Sequence, residues 1–307
     1  MKICVTGGAG FVGSHIVDRL VENGFDVTVI DNLSTGKIEN INKNAKFIEL
    51  DINNEKIHEI FEEEKFDVVY HQAAQMNVRF SVDNPKEDAV TNIIGSINLY
   101  EACKNSGVKK IIFASSGGTI YGEQVQFPAD EEHPTNPCSP YGIAKLANEK
   151  YLFYYNNSYG IKTVSLRYGN VYGPRQNPKG EAGVVAIFIG KMLTGEQPII
   201  NGDGLITRDY IYIDDVVEAN INALNEKIDG IYNVGTGIET NVNTIFHKLK
   251  NLTGANCDEY HGPAKIGEQR RSVISYYKLK QECGWEPKVS FDEGLIRTVE
   301  YFKQNLK

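Results

Sequence analysis

The sequence has no Cys-x-x-Cys pair; its five cysteines, Cys4, Cys103, Cys138, Cys257 and Cys283, lie far apart. That scatter argues against a zinc site or a disulfide framework and suits reduced thiols in a cytoplasm. Basic residues are in deficit: 32 lysines and arginines stand against 40 acids, a formal charge of -8. Such a chain has little attraction for nucleic-acid phosphates. No apolar run approaches the roughly 18 residues of a membrane span, and residues 2–6 read as a strand, not as a signal peptide. Repeats and low-complexity tracts are absent, and tryptophan occurs once, at Trp285. What is there is 41% hydrophobic and 23% charged over 307 residues, an ordinary globular composition with room for one large or two modest domains.

Glycine is plentiful, and its first cluster organises the N-terminal third. Residues 2–6 (KICVT) form a short buried strand, GGAGFVG follows at 7–13, and a helical pattern runs from Phe11 to Glu22, stopped by Gly24. Residues 26–30 (DVTVI) form a second strand ending on Asp31. Strand, glycine turn, helix and strand make one βαβ unit. The glycines allow a tight turn and close backbone approach, and the helix N-terminus offers N–H groups to a pyrophosphate. Asp31 falls where a carboxylate meets the adenosine ribose hydroxyls and repels a 2′-phosphate, so NAD is expected over NADP. The string reads as Gly8-x-Gly10-x-x-Gly13 or as Gly7-x-x-Gly10-x-x-Gly13. The polar loop that follows, Asn32, Leu33, Ser34, Thr35 and Gly36, suits a wrap around the adenosine.

A third strand over 46–50 leads to Asp51 and Ile52, placed for an adenine pocket; a plain helix N-cap is the other reading of Asp51. An amphipathic helix over 55–64 and a fourth strand over 68–71 come next. That strand opens into Gln72, Ala73, Ala74 and Gln75, small enough to let a cofactor approach the sheet edge. His71 has no Cys or His nearby and reads as structural. A helix is expected over 92–105, stopped by Gly107, with Asn92 either capping it or reaching cofactor-loop backbone.

A fifth strand over 110–115 (KIIFAS) runs into Ser116-Gly117-Gly118-Thr119-Ile120-Tyr121-Gly122. Ser139-Pro140 then opens a helix to about residue 158 that carries Tyr141 and Lys145. Four residues apart, the phenol and ammonium share one helix face. A neighbouring cation favours phenolate, so Lys145 is expected to bring Tyr141 below its usual value of about 10. Such a base can take a carbinol proton as a hydride leaves.

These motifs resemble the extended short-chain dehydrogenase/reductase superfamily, most closely its UDP-glucose 4-epimerase (UDP-galactose 4-epimerase) type. The resemblance runs through TGGAGFVGSH, DNLSTG, HQAA, SSGGTIYG, SPYGIAK, LRYGNVYGPRQ, GDGLITRDYIYIDD, YNVGTG and GWEPKVSFDEGL, nearly the whole chain. It implies a Rossmann-type doubly wound parallel sheet with a smaller α/β C-terminal substrate domain. It implies an isomerase of galactose metabolism: resident NAD, C4 epimerisation of a UDP-hexose through a 4-keto intermediate, and a cytoplasmic homodimer. Tyr141 matches the catalytic base and Lys145 the lysine that holds the nicotinamide ribose. Gly7, Gly10, Phe11, Val12 and Gly13, the Asp31–Gly36 loop, Asp51 and Ile52 match the NAD site. So do Gln72–Gln75, Asn92, Ser115 and Tyr168. Asn170, Val184, Val185, Asn201, Arg208, Lys265 and Arg270 match the UDP-sugar site, with Arg208 gripping the diphosphate by a guanidinium fork.

Three departures stand out. Gly117 replaces the usual Ser or Thr that orients O4, leaving Ser116, Thr119 or a water for that task. Lys265 replaces a distal diphosphate arginine, which Arg270 or Arg271 would have to supplement. Ser272 falls where the family limits room around C2, so an N-acetyl group is expected to fit. Dehydratases carry an Asp-Glu pair in this segment and decarboxylases a Glu, but residues 117–122 hold no carboxylate. A UDP-glucuronate 4-epimerase and a non-catalytic NAD-binding scaffold remain the alternatives.

Past Asn170 the alternation weakens. Helices are expected over 184–193, 214–225 (capped by Asp214), 243–253 and from Asp292, with strands over 210–213 and 230–234 and a hairpin-type turn at Gly202-Asp203-Gly204. Trp285 reads as a core anchor, and residues 262–272 as a basic loop over the diphosphate. The expected organisation is a NAD domain over 1–168, with returning pieces near 208–234, and an interleaved substrate domain over most of 169–307. The dimer faces would be the helices over 92–105 and 141–158, with Tyr151, Tyr154 and Tyr155 outward or packed internally.

Overall fold

The computed structural model describes residues 1–179, 183–264 and 269–306. The chain begins with β1 (Lys2–Thr6), α1 (Phe11–Glu22), β2 (Asp26–Asp31), β3 (Lys46–Glu49), α2 (Lys56–Glu64) and β4 (Val68–His71). Two short helices, α3 (Val78–Asp83) and α4 (Pro85–Ala89), follow. A π-helical turn (Val90–Ile94) then leads into α5 (Gly95–Ser106). β5 (Lys110–Ser116), α6 (Pro140–Tyr159) and β6 (Lys162–Tyr168) complete this run.

The second half is made of shorter pieces. They are β7 (Asn170–Tyr172), α7 (Val184–Thr194), β8 (Ile200–Asn201), β9 (Thr207–Tyr212), α8 (Ile213–Asn222) and β10 (Gly230–Val234). Then come β11 (Glu239–Asn241), α9 (Val242–Thr253), β12 (His261–Gly262), β13 (Arg271–Ser272), α10 (Tyr277–Cys283) and α11 (Phe291–Asn305). Seven strands pair in the order β10-β6-β5-β4-β1-β2-β3, all parallel. Strand order reverses at β1, whose neighbours are β2 and β4, and the crevice at that switch point is where open α/β sheets bind ligands.

Burial on both faces explains the apolar strands. In β1, Ile3 and Val5 face one cluster with Ile16, Leu20 and Val216, so α1 and α8 cover that side. Cys4 faces the other with Phe61, Leu99 and Leu152, from α2, α5 and α6. Successive side chains on a strand alternate sides, so a twice-covered strand is apolar throughout.

A smaller sheet joins β11, β9 and β13, with β7 also on β9, and β8 pairs with β12. Asp209 ties these pieces together: its buried carboxylate accepts from Thr236 N (2.8 Å), Thr236 Oγ1 (2.6 Å), Gly237 N (3.0 Å) and Ile274 N (3.3 Å). Trp285 is buried, with Nε1 donating to the Asp215 carbonyl at 3.2 Å, the anchor expected of it.

Several local readings are corrected, and two that stood open, at Asp51 and Tyr155, are decided. α3 and α4 occupy residues to which the expected elements do not extend, and the π turn starts two residues ahead of the helix expected over 92–105; their short apolar pattern gains its meaning only against α6. Asp51 caps no helix: Glu55 precedes α2, and Asp51 instead accepts from Asn32 and Asn53. Asp214 is likewise no cap; it lies in the first turn of α8 and pairs with Arg297 at 3.3 Å. The Gly202–Gly204 turn joins strands of two different sheets, so it is not a hairpin. Tyr155 is buried and donates to Glu101 at 2.6 Å, so it leaves the outer face to Tyr151 and Tyr154.

Candidate active site

The glycine loop closes on the switch point. Gly7 has φ +71°, and a Cβ there would stand 2.5 Å from Ala73 N, so only glycine lets β1 and the Gln72–Gln75 loop meet. Gly10 precedes α1 and provides no side-chain cap, and the helix has no acid in its first turn. Its leading N–H groups, in the turn holding Phe11, Val12 and Gly13, therefore face the crevice as donors for an anion. Asp31 ends β2 with its carboxylate accepting from Ala9 N (3.0 Å) and Leu33 N (2.8 Å), which shapes both the glycine loop and the Asn32–Gly36 loop. A cradle of close backbone, uncapped helix donors and a strand-end acid fits a dinucleotide.

Asn92 takes the second of its two expected roles. It donates to the Gln75 carbonyl and accepts from Gln75 N, both at 2.8 Å, and fixes the loop over the cofactor crevice. His71 is structural: its ring nitrogens lie 2.8 Å from Thr6 Oγ1 and 2.9 Å from Ser96 Oγ. Burial, and then Lys145, push it down to about 3, so it stays neutral.

Ser139 caps α6 by accepting from Gly142 N at 3.2 Å, and Pro140 occupies its first position, which brings Tyr141 to the sheet's C-terminal edge. Lys145 is buried, donates to the Ala114 carbonyl at 2.8 Å, and lies 4.7 Å from the Phe113 ring centre and 5.6 Å from that of Tyr141. Burial lowers it to about 8. Tyr141 departs from expectation: burial, followed by the charge of Asp88, raises its phenol well above its ordinary value. Within the protein alone, desolvation outweighs Lys145, and a further cation against the phenol is what would bring it down.

The position expected to orient O4 has a physical reason to be glycine. A Cβ on Gly117 would meet Ile274 Cδ1 at 2.6 Å and the Arg167 carbonyl at 3.3 Å. Two residues on, the Thr119 hydroxyl oxygen is buried with no hydrogen-bond partner. The Thr119 carbonyl abuts Gly142, beside Tyr141, and Gly118 abuts Asn170. Ser115 is committed elsewhere, donating to Glu149 at 2.6 Å.

Behind this turn lies a buried network that the motifs did not reveal. Arg167 forks onto Glu149 (2.9 and 2.7 Å) and donates to Tyr121 Oη (2.8 Å), which donates to Asn233 Oδ1 (2.7 Å). The signal was there: a guanidinium inside an apolar strand must find a carboxylate. Asp88 was missed as well, although it precedes Asn92 by four residues and its Oδ1 accepts from Asn92 (2.9 Å) and Gln75 (2.8 Å). Tyr168 has its hydroxyl on Asn220, 2.9 Å from Nδ2 and 3.0 Å from Oδ1.

The residues expected at the substrate are spread over the second half. Asn170 opens β7, Val184 and Val185 open α7, Asn201 ends β8, and Arg208 lies in β9 beside Ser272 of β13. Arg208 donates to the Thr207 carbonyl at 2.8 Å. Arg270 pairs with Asp203 at 3.2 Å, and Arg271 forks onto Glu239 at 2.9 Å, so both hold the strands around Arg208. Lys265 lies outside the described residues.

A model of the NAD dependent epimerase/dehydratase family matches residues 3–235. The UDP-glucose 4-epimerase of Mycolicibacterium smegmatis is 41% identical over 99% of both chains. A crystal structure of UDP-glucose 4-epimerase from Thermotoga maritima with UDP-glucose superposes with a TM-score of 0.98 at 53% identity, covering 100% of each chain. That of the Thermus thermophilus UDP-glucose 4-epimerase, in complex with NAD, gives 0.95 at 45% identity, again over 100% of each.

Proposed function

The chain belongs to the NAD dependent epimerase/dehydratase family, and we propose that it is an NAD-dependent isomerase that inverts C4 of a UDP-hexose, interconverting UDP-glucose and UDP-galactose. The observation that carries this reading is Tyr141 and Lys145 on the first turns of α6, packed where the Thr119 backbone meets Gly142, with the Thr119 hydroxyl buried and unpartnered. Bound in the crevice, NAD would supply the acceptor for the C4 hydride. Tyr141 removes the C4 hydroxyl proton and gives it back. Lys145, fixed by the Ala114 carbonyl, orients the site and adds positive charge. Thr119 donates to O4 in the role that Gly117 cannot fill.

Arg208 holds the diphosphate, so the transient 4-keto sugar turns about it and presents its other face. Residues 117–122 offer no acid to protonate a leaving hydroxyl, which disfavours elimination or decarboxylation. Ser272, small and buried beside Arg208, supports acceptance of N-acetyl forms. The unpaired cysteines and the lack, among the described residues, of any helix long and apolar enough to cross a membrane fit a cytoplasmic place in galactose metabolism. A second copy would cover the exposed stripe of Val90 and Ile94 beside Ile143 and Tyr154 on α6; an Ile94→Asp variant should then run as a monomer in light scattering.

The test of activity is turnover of UDP-galactose and UDP-N-acetylgalactosamine by the purified protein, with and without added NAD. Conversion of both to the gluco forms supports the full reading, and conversion of UDP-galactose alone removes the Ser272 argument. Failure with both would overturn the substrate assignment and turn attention to UDP-glucuronate.

A further inference from the structure

We propose that Asp88 is a positioning residue of this site, the buried counter-charge against which Tyr141 and Lys145 operate. The inference rests on the reading of Tyr141 as the base. Asp88 sits in α4, which with α3 packs on the opening turns of α6. It is 1% exposed. Both of its hydrogen bonds go to one oxygen: Oδ1 accepts from Gln75 Nε2 at 2.8 Å and from Asn92 Nδ2 at 2.9 Å. The other oxygen, Oδ2, is buried without a partner. An asparagine would accept the same two bonds through its amide oxygen without placing a bare charge in a dry site. The anchoring of Gln75 and Asn92 therefore does not account for the carboxylate, whose burial carries a substantial desolvation cost.

The charge acts toward the helix. It raises both the Tyr141 phenol and the Lys145 ammonium, and Lys145 in return pulls Asp88 down against the upward push of burial. Other charges leave this coupling exposed. His71, at the end of β4, is neutral, and Glu149 and Arg167 neutralise each other one turn along α6. Arg79 and Asp83 on α3 and Lys86 and Glu87 on α4 are solvent-exposed. With Asp88 opposite Lys145, the pair is electrically balanced while Tyr141 keeps its proton. Ionisation of the phenol is thereby reserved for the state in which another cation enters the pocket, so the base is not set free in the empty crevice.

The experiment is a titration of Tyr141 by NMR in protein labelled at tyrosine Cζ, with Tyr141→Phe identifying the resonance among 17 tyrosines. It is run on the wild type and on Asp88→Asn, each with NAD added. Asp88→Asn keeps the acceptor for Gln75 and Asn92 and removes the charge; Tyr141 should then ionise about one pH unit lower, as expected for a unit charge several ångströms away at intermediate dielectric. The acidic limb of kcat should move down with it. An unchanged Tyr141 titration in folded Asp88→Asn would overturn the proposal and leave Asp88 a hydrogen-bond anchor. Should that variant not fold, Lys145→Gln supplies the reciprocal reading: the Asp88 carboxyl, observed by aspartate Cγ labelling, should titrate at higher pH. Its failure to move would equally sink the idea. Neither titration requires turnover, so the result stands apart from the substrate assignment.

Discussion

Around the cofactor crevice, the chain is held by backbone. Gly7 lies against Ala73, Asp31 caps two main-chain N–H groups, and Asn92 clasps the Gln75 peptide from both sides. Around Arg208 the buried carboxylate of Asp209 gathers the chain at Thr236, Gly237 and Ile274, but the flanks are held by charged side chains near the surface: Arg270 to Asp203 in the turn after β8, and Arg271 of the two-residue β13 to Glu239 of the three-residue β11. The first arrangement tolerates almost no change in shape; the flanks of the second can shift at small cost, because exposed ion pairs contribute little and short strands bury little. That difference suits a site which must keep its nucleotide through a cycle while its sugar turns over.

The contrast can be broken most sharply at Gly7. Gly7→Val must push a side chain into the Ala73 backbone from a left-handed conformation, so NAD binding measured by calorimetry should fall by more than about 100-fold, or the protein should fail to fold. Tyr141→Phe comes next: kcat should fall by roughly 10²- to 10⁴-fold while NAD affinity stays near wild type, and a variant that loses both would undo the separation of holding from chemistry. Glu149→Gln leaves Arg167 buried and uncompensated, and urea unfolding should register a loss of about 3–5 kcal/mol.

A gentler test uses pH. The native His71 titrates near 3, below its ordinary 6.5, so the unfolded chain takes up the proton first as pH falls. Its contribution to stability is therefore complete above pH 6.5 and declines between 6.5 and 3, by about 1.4 kcal/mol per unit at most. A folded His71→Gln variant should lose stability less steeply across that window. The smallest effect belongs to the second region: a double-mutant cycle on Arg271 and Glu239 should yield no more than about 1 kcal/mol, and a larger coupling would mean that this half is as rigid as the first.

Much of the first region was legible in the sequence because its constraints are local. A glycine turn, a strand-end acid and a capped Ser-Pro helix each announce themselves within a few residues, and Lys2–Thr6, Phe11–Glu22 and Val68–His71 have the expected limits. What escaped depends on distant partners. The space beside Gly117 is filled by Ile274, and the unpartnered oxygens of Thr119 and Asp88 acquire meaning only when Tyr141 is seen nearby. The rise of the Tyr141 phenol was missed for the same reason, since a helical spacing reveals the neighbouring ammonium but not the depth of burial. In the second region β9 was read only at its end, over 210–213, and β7, β8, β11, β12 and β13, of two or three residues each, are too short for periodicity to register.

The last strand of the large sheet has a consequence for synthesis. β10 pairs with β6, yet it is made some sixty residues later, after β7, β8 and β9, which belong to other sheets. A nascent chain that has emerged through Tyr168 carries six of the seven strands and an open edge on β6. Until Gly230–Val234 arrives, that edge is a template for any passing strand. The sheet is therefore unfinished while it emerges from the ribosome, and a message cut short between these strands would leave a product prone to association rather than a free-standing nucleotide-binding domain.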